Sequence, residues 1–170
     1  MWEYRGQCRP PFADQPAPGQ ESVWDYPRPP RLVNDARRVV VKAGGRTVAD
    51  TRSAVRVCET ASPPTFYLPG TDVDLDSLVE VEGRTICEWK GEARYFALRD
   101  ASDRTVVAWD YPRPTRAFAA LEGRIGFYPG RVECHADGER VRAQPGRFYA
   151  GWVTDDIAGP FKGEPGTEHW

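Results

Sequence analysis

"RRVVVKAGGRTVAD", residues 37–50, decides the fold. A β-branched run, a glycine pair and a second short apolar run read as strand, Gly-Gly turn, strand. The same grammar repeats outward along the chain. "SAVRVCE" (53–59) alternates like a half-buried strand, and "PPTFYLPG" (63–70), closed by proline at both ends, is a short extended piece. "RTICEW" and "EARYFALRD" flank Lys90-Gly91 as a hairpin, and "RTVVAWDY" (104–111) follows the turn "DASD". "RIGFYPGRVECHADGERVRA" (124–143) gives two or three strands around Pro129-Gly130 and Asp137-Gly138. Only the regions near 73–79 and 115–121 have room for a helical turn, and no segment sustains a helical period over three turns. The pattern predicts an all-β fold of small antiparallel sheets with few short helical turns.

The chain has 170 residues, which predicts one domain. Residues 1–20, rich in proline and poor in core formers, are expected to be a flexible tail, and 21–170 the β domain. Charges nearly cancel, 23 basic against 25 acidic, so no strong field favours nucleic acid or an anionic membrane. No apolar run approaches the roughly 20 residues of a membrane helix, and no signal-peptide core is present, so a soluble, cytoplasmic protein is expected. Cys8, Cys58, Cys87 and Cys134 lie far apart with no C-x-x-C pair, and His135 and His169 are the only histidines. Two disulfides are arithmetically possible, but nothing points to secretion, and the spacing suits no zinc site. No metal and no cofactor are expected.

"WDYPRP" occurs twice, at 24–29 and 109–114. Proline drives the preceding residue out of the helical region, so each copy is expected to be extended. Trp and Tyr then share a side and the intervening Asp faces away. Each copy is expected to end or edge a sheet, and the pair to mark an internal repeat. Two readings follow: aromatic seals on equivalent edges, or paired aromatic walls around one pocket. Arginine supplies 20 of the 23 basic residues, and two of the three lysines, Lys90 in "WKGE" and Lys162 in "FKGE", share a context. Unlike arginine, a buried lysine can lose its proton.

Taken together, "ESVWDYPRPPRL", "RVCETASPPTFYLP", "RTICEWKGEARYF", "AWDYPRP", "FYPGRV" and "GPFKGEPGT" resemble the domain of unknown function 427 family, across residues 21–170. The resemblance implies small sheets packed in a tent-like arrangement. Members are often labelled nucleotidyltransferases. The family's motif positions carry over to Glu59, Tyr67, Cys87, Trp89, Lys90, Tyr95, Trp109 and Tyr111. Glu88 departs from the pattern, standing where the family commonly has proline. Glu59, Lys90 and Cys87 are the candidate catalytic groups: Lys90 beside Cys87 would favour a thiolate, and Glu59 would pair with Lys90 or act as a base. Tyr67, Trp89, Tyr95, Trp109 and Tyr111 are the candidate ligand-binding residues. The plainer alternative is a buried cysteine beside a surface ion pair. A nucleotidyltransferase would need a phosphate-cradling loop and metal-binding carboxylates. "DVDLD" (72–76) contains D-x-D without the glycine opening and reads as a solvated turn. The expected partner is an unidentified small molecule, anionic where Lys90 is charged. The alternative is a non-catalytic interaction module.

Overall fold

The computed structural model describes residues 2–170. Its strands in chain order are β1 (Glu21–Ser22), β2 (Arg31–Asp35), β3 (Val39–Ala43), β4 (Arg46–Thr51), β5 (Ala54–Cys58), β6 (Thr65–Pro69), β7 (Leu78–Cys87), β8 (Gly91–Leu98), β9 (Val106–Asp110), β10 (Arg124–Phe127), β11 (Glu133–Ala136), β12 (Glu139–Arg140), β13 (Arg142–Ala143), β14 (Trp152–Val153) and β15 (Ile157–Ala158). Helical structure among the described residues is limited to short 3-10 segments at 23–25, 70–72, 75–77 and 116–121. None of these is long and apolar enough to cross a membrane.

Seven strands form the main sheet in the order β2-β5-β6-β10-β9-β8-β7, and four form a second in the order β12-β11-β3-β4. Both are antiparallel throughout. The Gly44-Gly45 turn of β3–β4 has φ of 57° and 78°, the left-handed pair that glycine adopts without a Cβ clash. Strand alternation splits the main sheet into two faces. Phe66, Leu68, Ala108, Ile125 and Phe127 meet Val39, Val41, Val48 and Cys134 of the second sheet in one apolar core. Each large side chain buried there is worth about 1.5–3 kcal/mol. Trp152 stacks on Phe66 at 4.6 Å and donates its indole N–H to the Phe127 carbonyl at 3.0 Å. Val55, Val57, Tyr67, Trp109 and Tyr111 project from the opposite face.

Three expectations need revision. β5 is buried at all five positions, not on one face only, because it lies between β2 and β6 and both its faces are covered. Its Arg56 is tolerated inside by ion pairs to Glu21 and Asp35 at 3.1 Å each. Second, residues 2–20 form no strand, yet they pack on the domain. Tyr4 and Phe12 set their rings edge-on to Trp24 at 5.3 and 5.2 Å, and Asp14 N–H donates to the Gly159 carbonyl at 2.8 Å. Third, the two hexapeptides differ. Trp24 and Asp25 lie in a 3-10 turn capped by Ser22, and the chain extends only from Tyr26. Trp109 and Asp110 end strand β9, an interior strand of the main sheet. In both copies the acid turns away from the rings to an arginine, Asp25 to Arg9 and Asp110 to Arg94.

Candidate functional site

Register builds the site. Tyr67 on β6 sits opposite Gly126 on β10, Gly126 opposite Trp109 on β9, and Trp109 opposite Tyr95 on β8. Residues in register share a face, so three rings and one glycine form a row across four strands. The Trp109 indole fills the gap at the glycine. A Cβ on Gly126 would lie 2.6, 2.7 and 2.8 Å from Cζ2, Cε2 and Cη2 of that ring. Near-equal distances to three neighbouring ring atoms require a face-on approach, so the indole lies flat over the strand. Tyr67 meets it edge-on at 5.7 Å, and Tyr128 at 4.9 Å. The Trp109 N–H donates to the Tyr67 hydroxyl at 3.3 Å. Tyr111 follows on the same face. Burial, reinforced by Tyr67, Cys87 and Tyr95, pushes its phenol far above the ordinary value and keeps it neutral.

These rings wall a cavity of about 510 Å³. All eight predicted residues line it: Glu59, Tyr67, Cys87, Trp89, Lys90, Tyr95, Trp109 and Tyr111. Lys90 stands at the tip of the β7–β8 hairpin. Thr115, just past the second hexapeptide, pins that tip: its N–H donates to the Lys90 carbonyl at 3.1 Å and its hydroxyl to the Trp89 carbonyl at 2.6 Å. The second hexapeptide therefore supplies two walls, and the residue that follows it fixes the tip that carries the lysine.

The two twin-context lysines both reach this cavity but are held differently. Lys162 is 3% exposed, and its ammonium donates to the carbonyls of Glu168 and Trp170 at 2.9 and 3.0 Å. Its nitrogen also lies over the Trp2 ring, 4.0 Å from the centroid. Burial, together with the nearby Arg28 charge, lowers its pKa. Lys90 bonds to no oxygen among the described residues. Its neighbours are the Cys87 sulfur and the Tyr111 face, 5.7 Å from the ammonium. Burial acts to lower the Lys90 pKa, but the acidic groups Tyr67, Cys87 and Glu59 outweigh it, so the net direction is upward and the amine stays charged.

Glu59 does not pair with Lys90. Its Oε1 accepts from Arg28 Nε at 2.8 Å, and Arg28 also donates to the carbonyls of Tyr4, Trp170 and Thr60 at 3.0, 3.2 and 2.9 Å. A buried guanidinium with five fixed donors suits such a junction better than an ammonium. Arg28 belongs to the first hexapeptide. That copy seals its Trp24 and Tyr26 rings into a separate cluster and sends its arginine to the cavity. Arg28, Lys162, Arg131, Arg147 and Tyr149 were absent from the predicted set. The "FKGE" twin was the one available signal for Lys162. Arg28 and Arg131 lie in stretches already singled out, "WDYPRP" and "FYPGRV", whereas Arg147 and Tyr149 carry no motif that separates them from ordinary surface residues.

Five cations (Arg28, Lys90, Arg131, Arg147, Lys162) face the cavity against two carboxylates (Glu59, Glu88). Among the described residues no cluster of three or more His, Cys, Asp or Glu could hold a metal ion. Fold and site thus define a class: an all-β domain with an aromatic, cation-rich cavity on one face of its main sheet. The chain belongs to the domain of unknown function family DUF427, whose model matches residues 31–138. No curated protein matches the chain. All eight predicted site residues fall inside the matched segment. Arg28, Arg147, Tyr149 and Lys162, which line the cavity too, fall outside it.

Proposed function

We propose that this protein binds a small anionic molecule in the cavity, with a carboxylate or phosphate on the Lys90 ammonium. One observation carries the reading: Lys90 lines an aromatic cavity and donates to no protein oxygen among the described residues, whereas Lys162 donates to two main-chain oxygens. A cation left with free donors in a low-dielectric site attracts an anion strongly. Glu59 and Cys87 are then the groups able to act on the bound molecule, as a base and a thiol nucleophile. The nucleotidyltransferase label gains no support, because Asp72, Asp74 and Asp76 lie outside the cavity lining. The unpaired cysteines fit a reducing, cytoplasmic setting.

A thermal-shift screen of carboxylates and phosphates tests this, since any binder of the folded state must raise the melting point by mass action. Hits should disappear in Lys90→Met, and hits that survive it undiminished would refute the assignment. A hit should also shield Cys87 from iodoacetamide while the exposed Cys8 still reacts. Burial pushes the Cys58 thiol up to about 11, so it serves as an unreactive internal control.

A second reading, the interaction module, rests on Ile86 and Phe148, which line the mouth of the cavity and are 82% and 78% exposed. A double Ile86→Ser, Phe148→Ser variant that keeps every small-molecule hit but loses a protein partner would favour it.

A further inference from the structure

We infer that Trp2 is the end wall of the cavity and limits the length of the ligand it accepts. This deepens the anion-binding reading and rests on it. Trp2 lines the cavity together with Arg28 and Lys162. Both cations lie over its ring, the Arg28 guanidinium carbon 4.3 Å and the Lys162 ammonium 4.0 Å from the centroid. They also share the Trp170 carbonyl, at 3.2 and 3.0 Å, which holds them side by side. The residues that follow Trp2 are anchored. Glu3 N–H donates to the His169 carbonyl at 3.4 Å, and the Tyr4 carbonyl accepts from Arg28 at 3.0 Å. Gly6, with φ of 79°, lies so close to Tyr26 that a Cβ would stand 2.4 Å from that residue's carbonyl oxygen. Trp2, Arg28 and Lys162 all lie outside the segment 31–138 that the family model covers.

The cavity then has two unlike ends. At the Trp2 end, Arg28 is engaged by Glu59 and three carbonyls, and Lys162 by two carbonyls. These cations already face protein oxygens, and the Glu59 carboxylate beside Arg28 repels an anionic headgroup. Lys90 donates to no protein oxygen among the described residues and takes the headgroup instead. Glu59 stands between the two ends, since its charge acts on both lysines. A ligand anchored on Lys90 therefore runs its tail past Glu59 towards Trp2. Val57 and Ala150 line the same cavity, which suits an apolar tail.

The test is calorimetric titration of the full chain with straight-chain carboxylates from acetate to decanoate and with the matching alkyl phosphates. Each titration is repeated on Trp2→Ala, Trp2→Phe and Lys90→Met. In the native chain affinity should rise about fourfold per methylene, the worth of burying one, and then break where the tail meets Trp2. The break should fall at the same tail length in whichever headgroup series binds, because the wall meets only the tail. Trp2→Ala should move the break to longer acids and bind the first acid beyond the native break about tenfold tighter, the usual scale of an overpacking penalty. Trp2→Phe, a smaller ring, should move the break less, and it carries the test where Trp2→Ala fails to fold. A native series with no break, or a break that stays in place in the Trp2 variants, overturns the wall and leaves anion binding standing. An equal gain at every length would make Trp2 a gate at the entrance and overturns the wall as well. If no acid binds in a Lys90-dependent way, the anion reading fails and this inference with it.

Discussion

Lys90 and Lys162 share a four-residue context, and only their surroundings tell them apart. Replacing Lys162 with Met should destabilise the fold by about 2–3 kcal/mol, because two main-chain carbonyls lose their donor in a buried place. Replacing Lys90 with Met should change stability by less than about 1 kcal/mol while removing anion binding. Urea denaturation beside the ligand titration separates the two effects. The pH dependence has opposite sign at the two sites. Lys90 has a folded-state pKa above the ordinary 10.5, so its contribution is complete below that value and is lost only as pH rises through the folded value. Anion affinity should therefore stay level from about pH 6 to about pH 9 and fall beyond lysine's ordinary range. Lys162 has a folded-state pKa below 10.5, so its charge costs stability that returns as pH rises through the folded value. A stability curve on Lys162→Met should lack that alkaline recovery.

At the scale of the element, strands β9 and β10 decide whether the cavity has a floor. Gly126→Ala brings two opposing effects. Alanine reduces the freedom of the unfolded chain, worth about 0.4–1 kcal/mol in favour of folding. Its Cβ would also stand 2.6 Å from the Trp109 ring, inside any permitted contact. Overpacking of this kind costs about 1–3 kcal/mol, so net destabilisation is expected, together with a lifted indole. Denaturation gives the energy, and a shift of tryptophan emission gives the displacement. The hairpin tip was legible in sequence as a Lys-Gly turn. Its anchoring by Thr115 was not, because a hydroxyl's target depends on where a distant turn comes to rest.

Across the whole molecule, Arg28 joins segments that are far apart in the chain: Tyr4, Glu59 with Thr60, and Trp170. Arg28→Met leaves a carboxylate and three carbonyl oxygens without their donor. Glu59 is a quarter exposed, so water screens part of the loss; a cost of about 3 kcal/mol is expected, at the low end for breaking a buried pair. Arg9→Met removes only the exposed pair with Asp25 and should leave the denaturation midpoint unchanged. Equal midpoints for the two variants would show that Arg28 is not the structural junction.

The sequence by itself determined the elements, because turn chemistry and strand alternation are local. Gly44-Gly45, Lys90-Gly91 and Asp137-Gly138 each mark a reversal of the chain, and the absence of a helical period leaves only short helical turns. It also determined which eight residues to watch, through motifs that survive as contiguous text. Only the tertiary structure decided what those residues meet. The strand order places β10 between β6 and β9, which sets Tyr67, Gly126 and Trp109 in one row, and no local preference encodes that neighbour. The two hexapeptides show the limit most plainly. Identical letters became a capped 3-10 turn in one place and a strand end in the other. Proline restricts the residue before it, but burial against distant side chains chooses among the conformations that remain. The pairing of Glu59 with Arg28 instead of Lys90 was likewise a tertiary choice: a partly buried carboxylate takes the donor that the fold brings within reach, and sequence spacing does not measure that distance.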